Sequence, residues 1–170
     1  MTIYVALLRA VNVGGTTKLP MAELKAMCAD AGFARTKTYI ASGNVVFESK
    51  EPAAKVKTAL ENRLHKYAGK PVAVLLRTAA ELQAVLKANP FAKTKPNFTY
   101  AVFLNEKPPR DTLDRVGGLK DEEIKLGKRE IYVHYPSGMG RSKLKIPAVS
   151  SGTARNINTI AALAAIASKL

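Results

Sequence analysis

Between two helix-like stretches the chain carries "TKTYIASGNVVFES", two β-rich runs joined at Ser42-Gly43-Asn44. A glycine-centred turn between such runs signals an antiparallel hairpin. A hairpin in that place restricts the fold, because its flanks must supply the other strands of the sheet. Ile3 to Arg9 reads as a short buried strand ahead of a Gly-Gly turn. Met21 to Ala31 reads as a helix with Met21, Leu24, Met27, Cys28 and Ala31 on one face, entered by Pro20 and closed by Gly32. Pro52 to Ala68 reads as a second helix, with Val56, Leu60, Leu64 and Tyr67 as its apolar face and Gly69 as its stop. Val72 to Arg77 reads as a strand. The order βαββαβ interleaves two right-handed crossovers, which predicts a four-stranded antiparallel sheet with helices on one face.

The rest of the chain repeats most of that plan. Thr78 to Ala88 reads as a connecting helix ended by Asn89-Pro90, and Lys93 to Asn97 as a basic turn. "FTYAVFLN" reads as a strand, "PPRDTLDRV" as a short proline-started helix, "EEIKLGKREIYVHY" as a hairpin turning near Gly127, and "TARNINTIAALAAIASKL" as the final helix. That is βαββα, the first plan without its last strand. The expected fold is therefore α+β, with two ferredoxin-like halves at 1–77 and 98–170, joined by a helix and basic linker at 78–97. The two halves could also pack as one compact domain. Matching element order without matching residues suggests an internal duplication.

Charge narrows the partners. Lys and Arg number 27 against 13 Asp and Glu, a net charge of +14. From Ile131 to Leu170 there are Arg141, Lys143, Lys145, Arg155 and Lys169 and no carboxylate. A basic surface favours nucleic acid, phosphorylated ligands or anionic membranes. The single Cys28 falls on the apolar helix face, where a small buried hydrophobe is the default, and it allows no disulfide within the chain. The apolar run at Ile3–Leu8 is too short for a signal peptide or a membrane span, and "IAALAAIA" is too short to span. No membrane partner and a cytoplasmic location are expected.

Familiar chemistry is missing. Gly14 and Gly15 are adjacent, which matches neither the spaced glycines of a dinucleotide loop nor a P-loop, and Lys18 lies too close for the latter. There is no G-x-S-x-G elbow. His65 and His134 have no neighbour at metal spacing, so no metal site is expected and no cofactor is called for. Asp121-Glu122-Glu123 reads as a solvated charge run. The βαββαβ order is shared with RNA-recognition folds, but "SGNVVFES" lacks the exposed aromatic pair that stacks bases there.

Three polar stretches remain. The first holds Arg9, Asn12, Gly14, Gly15, Thr16, Thr17 and Lys18 between a strand and a helix, where backbone N–H groups can converge. The plain alternative is a tight corner. The second is "PSGMGRSKLK", a glycine-bearing basic loop in which Arg141 could grip an anion, with Ser142 and Lys143 beside it. The third is "SSGTARNINT". There Thr153 suits a helix cap, Arg155 opposes the helix dipole, and Asn156 and Asn158 are poor helix formers. Arg155 is expected to meet a ligand and the asparagines to satisfy backbone.

"YVALLRAVNVGGTTKLPMAELKAM", "GFARTKTYIASGNVVFES", "GMGRSKL" and "TARNINT" together resemble an uncharacterised bacterial family, domain of unknown function 1697. The resemblance covers nearly the whole chain, and R-x-x-N-V-G-G and Y-I-x-S-G-N are its most specific parts. It implies a fold of the kind just read and no established reaction. The family usually carries Trp inside R-N-W-N-T, and here Ile157 stands in its place, which favours packing over stacking.

The leading functional expectation is a binding protein for an anionic ligand, a nucleotide or a nucleic-acid backbone. Its candidate residues are Arg9, Asn12, Gly14, Gly15, Lys18, Ser42, Asn44, Arg141, Ser142, Lys143, Arg155 and Asn156. The second is an enzyme acting on a small phosphorylated or carboxylated metabolite, held by Arg9, Lys18 and Arg141, for which no general base is evident. The third is a homodimeric scaffold using a sheet edge or the apolar last helix.

Overall fold

The computed structural model describes residues 1–13 and 16–170. It is an α+β structure with two four-stranded antiparallel sheets and, among the described residues, four α-helices. The chain divides into two compact units, one made of 1–83 with 162–170 and one of 84–161. No helix among the described residues is long and apolar enough to cross a membrane.

The first unit contains β1 (Thr2–Leu8), α1 (Met21–Asp30), β2 (Ala34–Thr38), β3 (Asn44–Ser49), α2 (Ala53–Ala68) and β4 (Val74–Thr78). The strands lie in the order β2-β3-β1-β4, with every neighbouring pair antiparallel. Period-two alternation sends Tyr4, Ala6 and Leu8 of β1 to the same face as Val45, Phe47, Val74 and Leu76. Leu24, Met27 and Cys28 of α1 and Val56, Leu60 and Leu64 of α2 close over that face. Phe33 stacks on Phe47 with centroids 4.3 Å apart and rings 5° from parallel. The expected stripe of α2 shifts at its end: Tyr67 is exposed and Ala68 packs instead. The reason is helical phase, since Ala68 lies four residues after Leu64 and continues the i, i+4 row.

The opposite face of this sheet is also covered, because Val5, Leu7, Val46, Leu75 and Arg77 are buried too. A base-stacking reader needs an open sheet face, and the central strands here offer none. The outer edge at β2 is blunted. Arg35 has φ +54, the register against β3 shifts between Ala34 and Lys37, and the strand is basic. Such bulges and charges discourage pairing with another chain.

The second unit repeats the strand order. β5 (Thr99–Phe103), β6 (Glu123–Leu126), β7 (Glu130–His134) and β8 (Thr153–Asn156) lie as β6-β7-β5-β8, again all antiparallel. Two expectations fail here. "PPRDTLDRV" is not a helix. Only Leu113–Arg115 forms a 3-10 turn, with the Thr112 hydroxyl donating to the Pro109 carbonyl at 2.6 Å. The segment is too short to repay helix nucleation, and it has no apolar stripe to bury, Leu113 being exposed. The second failure is at Thr153–Asn156, which forms β8 and not the start of the last helix. It pairs with β5 from Thr153↔Phe103 to Asn156↔Tyr100. The sheet thus has the fourth strand that the element count lacked.

Thr153 is a strand residue. The cap of the last helix, α4 (Ile157–Ser168), is Asn156, whose Oδ1 accepts the Thr159 N–H at 2.8 Å. Arg155 lies in the strand, so it never opposes the dipole. Ile157 is buried, in keeping with a packing role. The first unit leaves its sheet the same way. Arg77 and Thr78 end β4, and α3 (Ala79–Lys87) follows. Its start is closed by a reciprocal pair, the Glu81 N–H to Thr78 Oγ1 at 3.1 Å and the Thr78 N–H to Glu81 Oε1 at 2.8 Å. Both arginines, each the last residue but one of its strand, are buried, and each donates from Nη1 to the carbonyl just before it, Arg77 to Leu76 at 3.0 Å and Arg155 to Ala154 at 2.9 Å.

Candidate functional site

In the first unit, Arg9, Asn12, Lys18, Ser42 and Asn44 gather at the loops that leave β1 and enter β3. Gly14 and Gly15 lie outside the described residues. Asn12, at φ +55, brackets the loops together. Its Nδ2 donates to the carbonyls of Leu19 and Ala41, both at 2.7 Å, and its Oδ1 accepts the Leu19 N–H at 2.7 Å. Asn44 is fully buried, and its amide donates to the Tyr39 carbonyl at 2.9 Å and to Ser42 Oγ at 2.8 Å. Gly43 sits at φ +87, where a Cβ would come 2.6 Å from Val11 Cγ2. The two asparagines, Ser42 and Gly43 are therefore what shape the corner. Arg9 and Lys18 stand exposed on it, and Lys18 borders an open depression of ≈ 440 Å³ with Leu19, Pro20 and Met21. Replacing Asn12 with alanine removes three hydrogen bonds and leaves a side chain less tolerant of positive φ. Thermal or urea unfolding should show a loss of about 2 kcal/mol.

In the second unit, Arg141, Ser142 and Lys143 come together with Lys120, Tyr135 and the acidic run at Asp121 and Glu122. Segments 118–122 and 135–143 enclose a cleft of ≈ 330 Å³. Lys120, Arg141 and Lys143 supply its positive charge, Asp121 and Glu122 its negative charge, and Tyr135 one wall. The loop is fastened at three points. Gly117 and Lys145 exchange backbone hydrogen bonds at 2.9 and 2.8 Å. The Ser137 hydroxyl donates to Asp121 Oδ2 at 2.6 Å. The Ser142 hydroxyl donates to Glu122 Oε2 and accepts the Leu144 N–H at 3.1 Å.

Glu122 corrects the reading of a solvated acidic run, since it is only 8 % exposed. The signal was present: in extended chain, Glu122 shares a side with Ile124, and Ile124 packs on the core of Val102, Ile131 and Val133. The Ser142 hydroxyl, and then the Lys120 N–H at 2.7 Å, hold its carboxyl below the usual range. A carboxylate held that way is a weak base, so the pair fastens the loop and does not activate the serine. Burial, then Glu122 and Tyr100, pushes the Tyr135 phenol up, and its ring meets Tyr100 edge-on at 5.7 Å.

A group whose folded pKa is depressed contributes stability above its unfolded pKa and loses it as pH falls through the folded value. Acidification below the ordinary glutamate range should therefore loosen this loop. Glu122→Gln should remove that part of the acid sensitivity, read from unfolding midpoints across an acid pH series.

The third stretch does not contribute an open cation. Arg155 is 6 % exposed, its Nη1 donates to Thr153 Oγ1 at 2.7 Å, and burial lowers its pKa to about 10. Asn156 is taken up by capping. Of the remaining titratable groups, His65 is exposed on α2, and His134 Nδ1 lies 3.0 Å from Thr99 Oγ1. Burial drives the Cys28 thiol up to about 12, which makes it a poor nucleophile. Among the described residues, no group of three or more His, Cys, Asp or Glu side chains could hold a metal ion.

Comparison with solved structures finds a likeness along the whole chain. The conserved bacterial protein SP0830 from Streptococcus pneumoniae superposes with a TM-score of 0.81 at 27% identity, over 98% of this chain and 98% of that one. None of the curated proteins matches. A family profile described as "Protein of unknown function (DUF1697)" matches residues 1–132, a span that runs from β1 into β7 and takes in both halves of the Asn12 bracket. The chain therefore belongs to the DUF1697 family.

Proposed function

We propose that the protein binds an anionic, phosphate-containing ligand, of the class of nucleotides and nucleic-acid backbones, at the cleft of its second unit. The observation that carries this reading is the placement of Lys120, Arg141 and Lys143 around one concave site in a chain of net charge +14. Arg141 can present two parallel donors to a phosphate, and Lys143 adds a point charge. Arg9 and Lys18 form a second exposed basic pair in the first unit. On the same reading each unit is a ferredoxin-like half, supported by the shared β2-β3-β1-β4 and β6-β7-β5-β8 orders. Asn12, Ser42 and Asn44, like Arg155 and Asn156, serve this function by holding the scaffold.

The test is binding of ATP and of a labelled single-stranded oligonucleotide, followed from low to physiological ionic strength. Affinity should fall steeply with salt. The double change Arg141→Ala with Lys143→Ala should weaken binding at least about tenfold. Unmeasurable binding of both probes at low ionic strength would overturn the reading.

A further inference from the structure

A groove for an extended phosphate backbone is uniformly positive, because each phosphate must find a cation and no carboxylate. The cleft of the second unit is not uniform. Asp121 and Glu122 line it together with Lys120, Arg141 and Lys143. The two carboxylates would repel a polyanion threaded past them. They suit a ligand with an anionic end and, beside it, neutral hydrogen-bond donors.

The acceptor capacity of Asp121 supports this. An ionised carboxylate offers about four lone-pair sites. The Glu122 carboxyl is taken up by the protein, accepting from the Ser142 hydroxyl and from the backbone N–H groups of Lys120, Glu122 and Asp121, whereas Asp121 accepts from Ser137 on one oxygen. Asp121 thus keeps acceptor sites and is oriented by the Ser137 hydroxyl, while Glu122 anchors the loop. The donor brought by the ligand is better a hydroxyl than an ammonium, because three cations already surround the site. The volume of ≈ 330 Å³ suits one small molecule. Acidic side chains accepting from the vicinal hydroxyls of a ribose are a known solution to this chemistry.

We infer that the cleft takes a single ribose phosphate unit, free or as a nucleoside monophosphate, with the phosphate at Arg141 and Lys143 and the sugar hydroxyls at Asp121. This rests on the anion-binding reading of the same cleft and narrows it from nucleic acid to a small ligand.

The experiment is calorimetric titration of the full chain with AMP, ribose 5-phosphate, 2′,3′-dideoxy-AMP, inorganic phosphate and a thymidine oligonucleotide. The expected result is binding of AMP and ribose 5-phosphate. Dideoxy-AMP and inorganic phosphate should each bind about tenfold more weakly or worse. Arg141→Ala should abolish AMP binding. Asp121→Asn, which keeps an oxygen to accept from Ser137, should narrow the gap between AMP and dideoxy-AMP. Equal affinity for AMP and dideoxy-AMP overturns the hydroxyl assignment while anion binding stands. Oligonucleotide binding with no response to AMP or ribose 5-phosphate also overturns the inference and leaves the broader reading intact. Silence from every probe at low ionic strength brings down both.

Discussion

Phe47→Ala should cost the first unit about 3–5 kcal/mol, the range for truncating a fully buried aromatic. Phe47 sits in β3 with no exposed surface, stacked on Phe33 and 6.0 Å from the Tyr4 ring. Its neighbours come from different elements, β1 on one side and the exit from α1 on the other, so a cavity there cannot close by moving one side chain. Close-packed interiors relax only in part, which adds a cavity penalty to the lost transfer energy. The chain has no Trp, so the measurement is far-UV circular dichroism during urea unfolding. A shift worth less than about 1 kcal/mol would mean that the stacked pair is not a packed centre of this core.

The strand that carries Phe47 is legible in the sequence as part of a β-rich run. Phe47 lies in an apolar run of β-branched and aromatic residues, where period and composition agree. The same agreement marks β1, α1, α2 and β4, and with them the four-stranded antiparallel sheet of the first unit. The second unit is harder to read because its pieces are short. Thr153–Asn156 has no apolar alternation, and its strand identity comes from pairing with β5, so a local reading assigns it to the helix that follows. The Pro108–Val116 segment has proline punctuation like a helix but no face to bury. At the candidate site, the basic loop at Arg141–Lys143 was visible as composition. Its counterparts were not. Glu122 looked like one of three solvated acids, and only its two-residue spacing from Ile124 hinted otherwise. Asn12 was visible as a polar residue near a turn. Its chemistry, three hydrogen bonds joining two loops, depends on Leu19 and Ala41 arriving together, and no short window of sequence contains that.

Gly118→Ala is the sharper test of how the cleft is built. Gly118 has φ +70, and a Cβ there would stand 2.1 Å from the Lys143 carbonyl oxygen and 2.8 Å from its carbonyl carbon. These are backbone atoms, so no rotamer change relieves the clash. The adjacent residue is fixed as well, since Gly117 and Lys145 exchange backbone hydrogen bonds. Alanine in the left-handed region costs about 1 kcal/mol, and forced overpacking adds about 1–3 kcal/mol. The expected loss is about 3 kcal/mol in unfolding free energy. Gly69→Ala separates the two terms. Gly69 ends α2 at φ +72 and ψ +9, and nothing lies within 4 Å of the place a Cβ would take. It should lose about 1 kcal/mol, the backbone cost alone. Equal losses at the two positions would mean that the 118–122 segment is not pressed against Lys143. If the protein instead yields by moving the Lys143 segment away, Arg141 and Lys143 move with it. The Gly118→Ala protein should then lose AMP affinity even at temperatures where it stays folded, while Gly69→Ala keeps it. Stability and binding failing together at Gly118, and stability alone at Gly69, is the pattern expected if the close approach of these two backbones shapes the cleft.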